Sequence, residues 1–329
     1  MNAGWIRWIS ALAVVTGACG KSDVKTVTGD GSSTVFLISE AVAEGFRGVM
    51  PEVRVTVGVS GTGGGFKKFC AGETDFQNAS RPIKPTEVEL CAKAGIEYVE
   101  LPIAYDGIAI VVNPKNDWAQ DITRDELKKL WAPEAQQKVM RWSDVRQGWP
   151  DRPIALFGAG VDSGTYDYFT EAIVGKEHSS RGDFTSSEDD NVIVRGVSAD
   201  PGALGFFGFA YFEENQDKLR ALPVDGGKGP VAPSVATIGD SSYFPLSRPL
   251  FLYVSKKAMD RPEMQAFMSF YLKQASAFSL EVGYIPLPDE AYGLAQSRLD
   301  KRTHGSLFGG KGSQVGVSIR DLLAREAAP

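Results

Sequence analysis

The sequence predicts an α/β protein with two lobes, on three observations. Short stretches of alternating apolar residues recur between stretches with helical spacing. Several strand-like segments end in turns rich in Gly, Ser and Thr that lead into helices, which is where α/β proteins hold their ligands. The chain has 329 residues, more than one compact core of common size holds.

Residues 24–28 alternate as a strand and run into the first glycine loop, Gly29-Asp-Gly-Ser-Ser-Thr-Val-Phe36. Phe36, Leu37, Ala41, Val42 and Phe46 then share a helix face. Residues 53–59 alternate again and end at Ser60-Gly-Thr-Gly-Gly-Gly-Phe66, with a second helix from Gly65 to Cys70. Residues 75–79 read as a strand, and Pro85 suits the first turn of a helix over 86–94. Strands are expected at 98–101 and 108–112. Thr123 and Glu126 have the spacing of a capping box before a helix that ends at Trp131.

A strand at 154–157 precedes Ser163-Gly-Thr165 and a helix through Ala172. Residues 183–191 are polar and predict a loop into a helix over 192–197. Residues 203–210 read as a buried strand or turn, its glycines serving close packing, and 250–255 as an apolar strand. Helices are expected at 263–271, 275–281, 290–299 and 319–325, and a loose surface loop at 303–312.

Composition narrows the function. Hydrophobic content of 43% with 23% charged residues is that of an ordinary globular protein. A formal net charge of −6 argues against a nucleic-acid partner, which calls for a basic stripe. The two histidines, His178 and His304, lack ligand spacing to a cysteine, so no metal is expected and both read as surface or loop residues. No cofactor is expected.

Residues 1–18 read as a secretory signal peptide: Arg7, an apolar run too short to span a bilayer, then Thr16-Gly-Ala ahead of Cys19. That ending resembles a bacterial lipobox, with Thr16 where Leu or Val is usual, and predicts lipidation of Cys19. The chain is then an exported lipoprotein of the periplasm or cell surface, held to the membrane through the lipid alone. Simple secretion is the alternative. Cys70 and Cys91 remain, an even pair that an oxidising compartment can join in a disulfide between two helices; two buried free thiols are the alternative.

Three loops carry the chemistry: Gly29–Phe36, Ser60–Phe66 and Gly158-Ala-Gly-Val-Asp-Ser-Gly-Thr-Tyr-Asp-Tyr-Phe169. Each sets hydroxyls and glycines just ahead of a helix. A helix N-terminus has unpaired N–H groups and partial positive charge, glycine admits a ligand close to the backbone, and hydroxyls add donors. One such loop is a common N-cap. Three suggest one oxyanion held between helix ends, which an acidic protein can bind because nearby dipoles outweigh distant screened charges.

In order and spacing these loops, with Asn78-Ala-Ser-Arg-Pro82, Asp162-Ser-Gly-Thr-Tyr166, Ser187-Glu-Asp-Asp-Asn191, Gly202-Ala-Leu-Gly205 and Tyr243-Phe-Pro-Leu-Ser-Arg-Pro249, resemble the phosphate-binding proteins of bacterial Pst-type ABC transporters, in a subgroup with Ser-Arg-Pro. The resemblance runs from about residue 24 to near the C-terminus. It implies a two-lobed type II periplasmic-binding-protein fold, mixed sheets flanked by helices, with the ligand in the interlobe cleft. Residues 19–105 and 249–329 would form lobe 1 and residues 106–248 lobe 2, with crossings near 105–113 and 246–255. It further implies a monomer that binds inorganic phosphate, hands it to permease subunits and is not an enzyme.

Carried over by position, the phosphate contacts are Ser33 and Thr34, Ser60 with Gly61 and Thr62, and Ser163, Gly164 and Thr165. Two positions depart from the pattern. Ala159 stands where some members have arginine. Arg81 stands where some have the aspartate that accepts the proton of hydrogen phosphate; it could pair two phosphate oxygens, or bridge to an acid of the protein. Asp190 is the first candidate for the missing acceptor, with a plain N-cap as its alternative role, and Asp162 and Asp106 follow. Other readings are a receptor for arsenate, sulfate or molybdate, a surface adhesin or sensor, and a secreted phosphatase-like enzyme. Against the last, Gly58-Val-Ser-Gly-Thr62 fails the Gly-x-Ser-x-Gly elbow at its final position.

Overall fold

The computed structural model describes residues 25–161, 163–187, 189–309, 319, 322 and 323. The leader with Cys19, Asp162 and most of the helix expected at 319–325 lie outside the described residues. The chain begins β1 (Lys25–Gly31), α1 (Ser33–Arg47), β2 (Val53–Val57), α2 (Gly61–Cys70), β3 (Phe76–Ala79), α3 (Pro85–Lys93) and β4 (Tyr98–Val112). It continues with β5 (Ile122–Thr123), α4 (Arg124–Trp131), α5 (Trp142–Val145), β6 (Ala155–Ala159), α6 (Gly164–Phe169), β7 (Thr185–Ser187), α7 (Asp190–Ala199) and β8 (Ala203–Gly208). Then come α8 (Phe209–Glu213), β9 (Arg220–Ala221), β10 (Val224–Asp225), β11 (Pro230–Val231), α9 (Val235–Gly239), β12 (Ser247–Ser255), α10 (Pro262–Glu281), β13 (Ile285–Pro286) and α11 (Asp289–Asp300).

The main sheet runs β2-β1-β3-β12-β4-β8-β6-β7, and β5, β10 and β11 form a small second sheet. β1 is parallel to β2 and β3, and β6 is parallel to β7 and β8. Between these two parallel groups β12 and β4 pair antiparallel, from Ser247 opposite Gly107 to Ser255 opposite Tyr98. Beyond Gly107, β4 pairs instead with β8. One long strand thus belongs to both halves of a two-lobed α/β molecule. One continuous core carries an aromatic group in each half. Phe46 lies against Phe267 and Phe270 beside the β1 group, and Trp131 against Phe169, Phe184 and Phe206 beside the β6 group.

Four local expectations change. The strands expected at 98–101 and 108–112 are one fully buried strand. Pro102 and Gly107 broke the pattern, but pairing with β12 carries the backbone through, with Ile103 as an extra residue where the register slips opposite Leu250 and Phe251. The two helices expected over 263–281 are the single α10; Lys273, which broke the apolar stripe, is an exposed helix former. The polar stretch 183–191 contains β7, an exposed edge strand whose polarity hid it. Residues 303–309 are not a loose loop. The Gly305 amide donates to the Tyr98 carbonyl at 3.0 Å, the Leu307 amide to Glu100 Oε1 at 2.8 Å, and Phe308 is buried against Phe251.

Cys70 and Cys91 are joined in a disulfide that ties the end of α2 to α3. Closing a loop of this length stabilises a fold by about 3 kcal/mol, mainly by restricting the unfolded chain. Cys70→Ala/Cys91→Ala is expected to lose about that much in urea titration; an unchanged midpoint would show that α2 and α3 hold together without the crosslink.

Candidate functional site

Three of the expected loops meet where the two halves of the sheet face each other. The first amides of α1 and α2 have no carbonyl within their own helices, and the first turn of α2 lines a cavity at this cleft. The Ser33 hydroxyl reaches across it and donates to Asp167 Oδ2 at 2.7 Å. Thr34 Oγ1 donates to the Gly164 carbonyl at 3.4 Å. A Cβ at Gly164 would lie 2.8 Å from Thr34 Cα, so only glycine lets the two helix ends come this close. Ser163 caps α6 by accepting the Thr165 amide at 3.1 Å.

Ser60 stands at the head of α2 and donates its hydroxyl hydrogen to Asp30 Oδ1. Thr62 Oγ1 shares a hydrogen bond with Ser80 Oγ at 3.0 Å and takes the Ser80 amide at 3.2 Å, which locks the α2 loop to the end of β3. Beside these groups lies a cavity of about 500 Å3. Ser60, Gly61, Thr62 and Arg81 line one wall, and Lys176, Glu177 and His178 the other. A second cavity of about 300 Å3 shares Arg81 and Glu171 with the first and extends to Tyr168, Phe244 and Arg248.

Arg81 does line the cavity, but its fork is engaged. Nη1 and Nη2 donate to the two Glu87 oxygens at 2.8 and 2.7 Å, and Nη1 also to the Pro82 carbonyl at 3.2 Å. That leaves Nε–H and one Nη2 hydrogen for a ligand, so the bidentate contact expected of Arg81 is made to the protein. Of the expected contacts, Ser60, Gly61, Thr62 and Arg81 line the first cavity, whereas Ser33, Thr34, Ser163, Gly164, Thr165 and Asp190 line neither. Asp190 is half-buried in the first turn of α7, and the capping role falls to Asp189, which accepts the Asn191 amide at 2.9 Å. His304 is exposed and lies against Tyr98, while the exposed His178 sets Nδ1 3.1 Å from Asp167 Oδ1, at the cavity wall. Burial pushes the Glu177 carboxyl up, with Glu171 and Asp167 adding to the rise.

Arg248 has no role that is readable from the sequence alone. It is 8% exposed and lies directly opposite Asp106, where β12 and β4 cross between the halves. Nε donates to Asp106 Oδ2 at 3.3 Å, and Nη2 to Thr34 Oγ1 at 2.9 Å. Cζ lies 3.6 Å from the centroid of the Tyr168 ring. One guanidinium therefore touches both crossing strands, the N-terminus of α1, and α6. Burial pushes the Asp106 carboxyl up and Arg248 opposes the rise. Burial also lifts the Tyr168 phenol well above its ordinary range, keeping it a neutral donor to the Pro245 carbonyl at 2.6 Å. The signal for Arg248 was present in Tyr243-Phe-Pro-Leu-Ser-Arg-Pro249, but its partner lies 142 residues away.

Removing one member of a buried ion pair leaves the other uncompensated. Arg248→Ala is expected to lose about 3–5 kcal/mol of stability in urea. Arg248→Ala/Asp106→Ala is expected to lose clearly less than the sum of the single changes. Simple additivity would show that the two charges act independently.

The chain resembles known proteins over most of its length. A family model described as a PBP superfamily domain matches residues 16–275. Protein SphX of Synechococcus elongatus is 52% identical over 91% of this chain and 88% of its own. The phosphate-binding protein PstS of Staphylococcus saprophyticus is 40% identical over 85% of each chain. A crystal structure described as "a possible phosphate binding protein" from Planctomyces limnophilus has a TM-score of 0.81 and 49% identity, covering 84% of this chain and 98% of that one. The chain belongs to the PBP superfamily and, within it, to the family of Pst-type phosphate-binding proteins.

Proposed function

We propose that this protein is a phosphate receptor: it captures inorganic phosphate between its lobes and delivers it to an ABC permease. One observation carries the reading. The first turn of α1 and the Ser163-Gly164 turn, each offering hydroxyls or unpaired amides, meet across the cleft, close enough for Ser33 to bond Asp167 and Thr34 to bond Gly164, and the first turn of α2 lines the cavity at the same cleft. A small oxyanion is the ligand such convergent donors suit. The names of PstS and of the Planctomyces protein support phosphate as that anion.

In this reading Ser33, Thr34, Gly61, Thr62, Ser163, Gly164 and Thr165 supply hydroxyls and backbone donors, Ser60 faces the anion from α2, and Arg81 and Arg248 supply positive charge. Residues 19–105 and 249–329 form one lobe and 106–248 the other. The exchange of partners along β4 after Gly107 supports a hinge there, and closure over the ligand is its expected motion. The monomer is exported and tethered by lipid at Cys19. Among the described residues no helix is long and apolar enough to cross a membrane.

Calorimetric titration of the chain without its leader and Cys19 tests the reading. Phosphate and arsenate are expected to bind and sulfate to bind far more weakly. Ser163 accepts the Thr165 amide, so its hydrogen is available to the anion. Losing one such donor to a charged ligand should weaken binding by roughly tenfold to a hundredfold in Ser163→Ala. No heat with phosphate would refute the receptor, and turnover of a chromogenic phosphate ester would point to an enzyme.

Cys19→Ala tests the anchor. It should leave the protein soluble or unprocessed, and unchanged membrane fractionation would remove lipid from the account.

A further inference from the structure

We infer that Ser60 reads the proton of the bound anion, acting as a hydrogen-bond acceptor toward it; the inference rests on the phosphate reading above. A hydroxyl has one hydrogen and two lone pairs. The Ser60 hydrogen goes to Asp30 Oδ1, so the face that Ser60 presents to the cavity carries only lone pairs. Such a group suits an anion that brings its own O–H.

The arrangement behind Ser60 is built. Asp30 is 7% exposed, and its other oxygen takes Lys68 Nζ at 2.6 Å. A Cβ at Gly58 would lie 2.4 Å from Asp30 Oδ2, so the carboxylate occupies space that glycine leaves open. Lys68 and Ser60 both belong to the α2 segment, and Asp30 is held between them. Two carboxylates considered as acceptors are placed elsewhere: Asp106 is bound to Arg248, and Asp190 does not line the cavity. Ser60 and Ser163 are complementary. Ser163 uses a lone pair internally and can donate outward, whereas Ser60 uses its hydrogen internally and accepts.

Hydrogen phosphate and hydrogen arsenate carry an O–H at neutral pH, and sulfate and selenate do not. An acceptor aimed at the anion therefore favours the first pair and places lone pairs against the second. A site that depends on a ligand's O–H rejects an analogue lacking it, because its own polar group is left unpaired.

Calorimetry with phosphate and sulfate on the leaderless chain decides the matter. Ser60→Ala is expected to weaken phosphate by about 10- to 100-fold while sulfate holds or tightens. Equal weakening of both anions would make Ser60 a donor and overturn the inference. In Asp30→Asn the amide can donate to Ser60, freeing the hydroxyl hydrogen for the anion; the sulfate-to-phosphate affinity ratio should rise at least about tenfold. An unchanged ratio in a folded Asp30→Asn protein would also overturn it. If Asp30→Asn does not fold, Ser60→Ala alone decides. If the parent binds phosphate and sulfate equally, the proton-reading role falls while oxyanion capture stands. If it binds neither, the receptor reading falls and this inference with it.

Discussion

The buried Arg248–Asp106 pair is the constraint on which the rest of the site depends. The antiparallel register of β12 and β4 sets the two residues opposite each other, where the chain passes from one half of the molecule to the other. A charge taken out of water needs a partner, or it costs several kcal/mol. Here the partners are complete enough to fix the guanidinium: a carboxylate, the Thr34 hydroxyl and the face of Tyr168. Thr34 and Tyr168 belong to the two helices whose N-termini meet across the cleft, so the same contacts that satisfy the charge align those helix ends.

A protein of formal charge −6 can still offer an anion site, because the field at the site is local. The first amides of α1 and α2 act over a few ångströms, whereas surface carboxylates are screened over about 10 Å. Three carboxylates behind the cleft are partnered. Asp30 is matched by Lys68, Asp106 by Arg248, and Asp167 takes the Ser33 hydroxyl and lies beside His178. Their effect is on direction: each fixes where a neighbouring donor points. Ser33 and Ser60 have similar surroundings in sequence to any helix-capping serine, yet both send their hydrogen to an acid.

Arg81 shows how a neighbouring acid changes a residue's role. The Ser-Arg-Pro turn places it at the cavity wall, but Glu87, six residues on, takes the fork and also accepts the Lys84 amide at the start of α3. The structural contact and any contact to a ligand therefore draw on the same five hydrogens.

Much of the chain was legible in the sequence, because the relevant information is local. The strand alternation of residues 53–57, the capping box of Thr123 and Glu126, and the glycine loops before α1, α2 and α6 depend on neighbours a few residues away. The even cysteine pair left two outcomes open, and the meeting of α2 with α3 decided it. Polar β7 and the strand through Pro102 could not be read, since pairing with β6 and β12 makes them strands. Tertiary structure alone decided which charges and hydrogens face the cleft. Arg248 finds Asp106 across 142 residues, and Ser60 finds Asp30 across 30. A hydroxyl's direction is set by the nearest acceptor in space, and no spacing in the sequence records it.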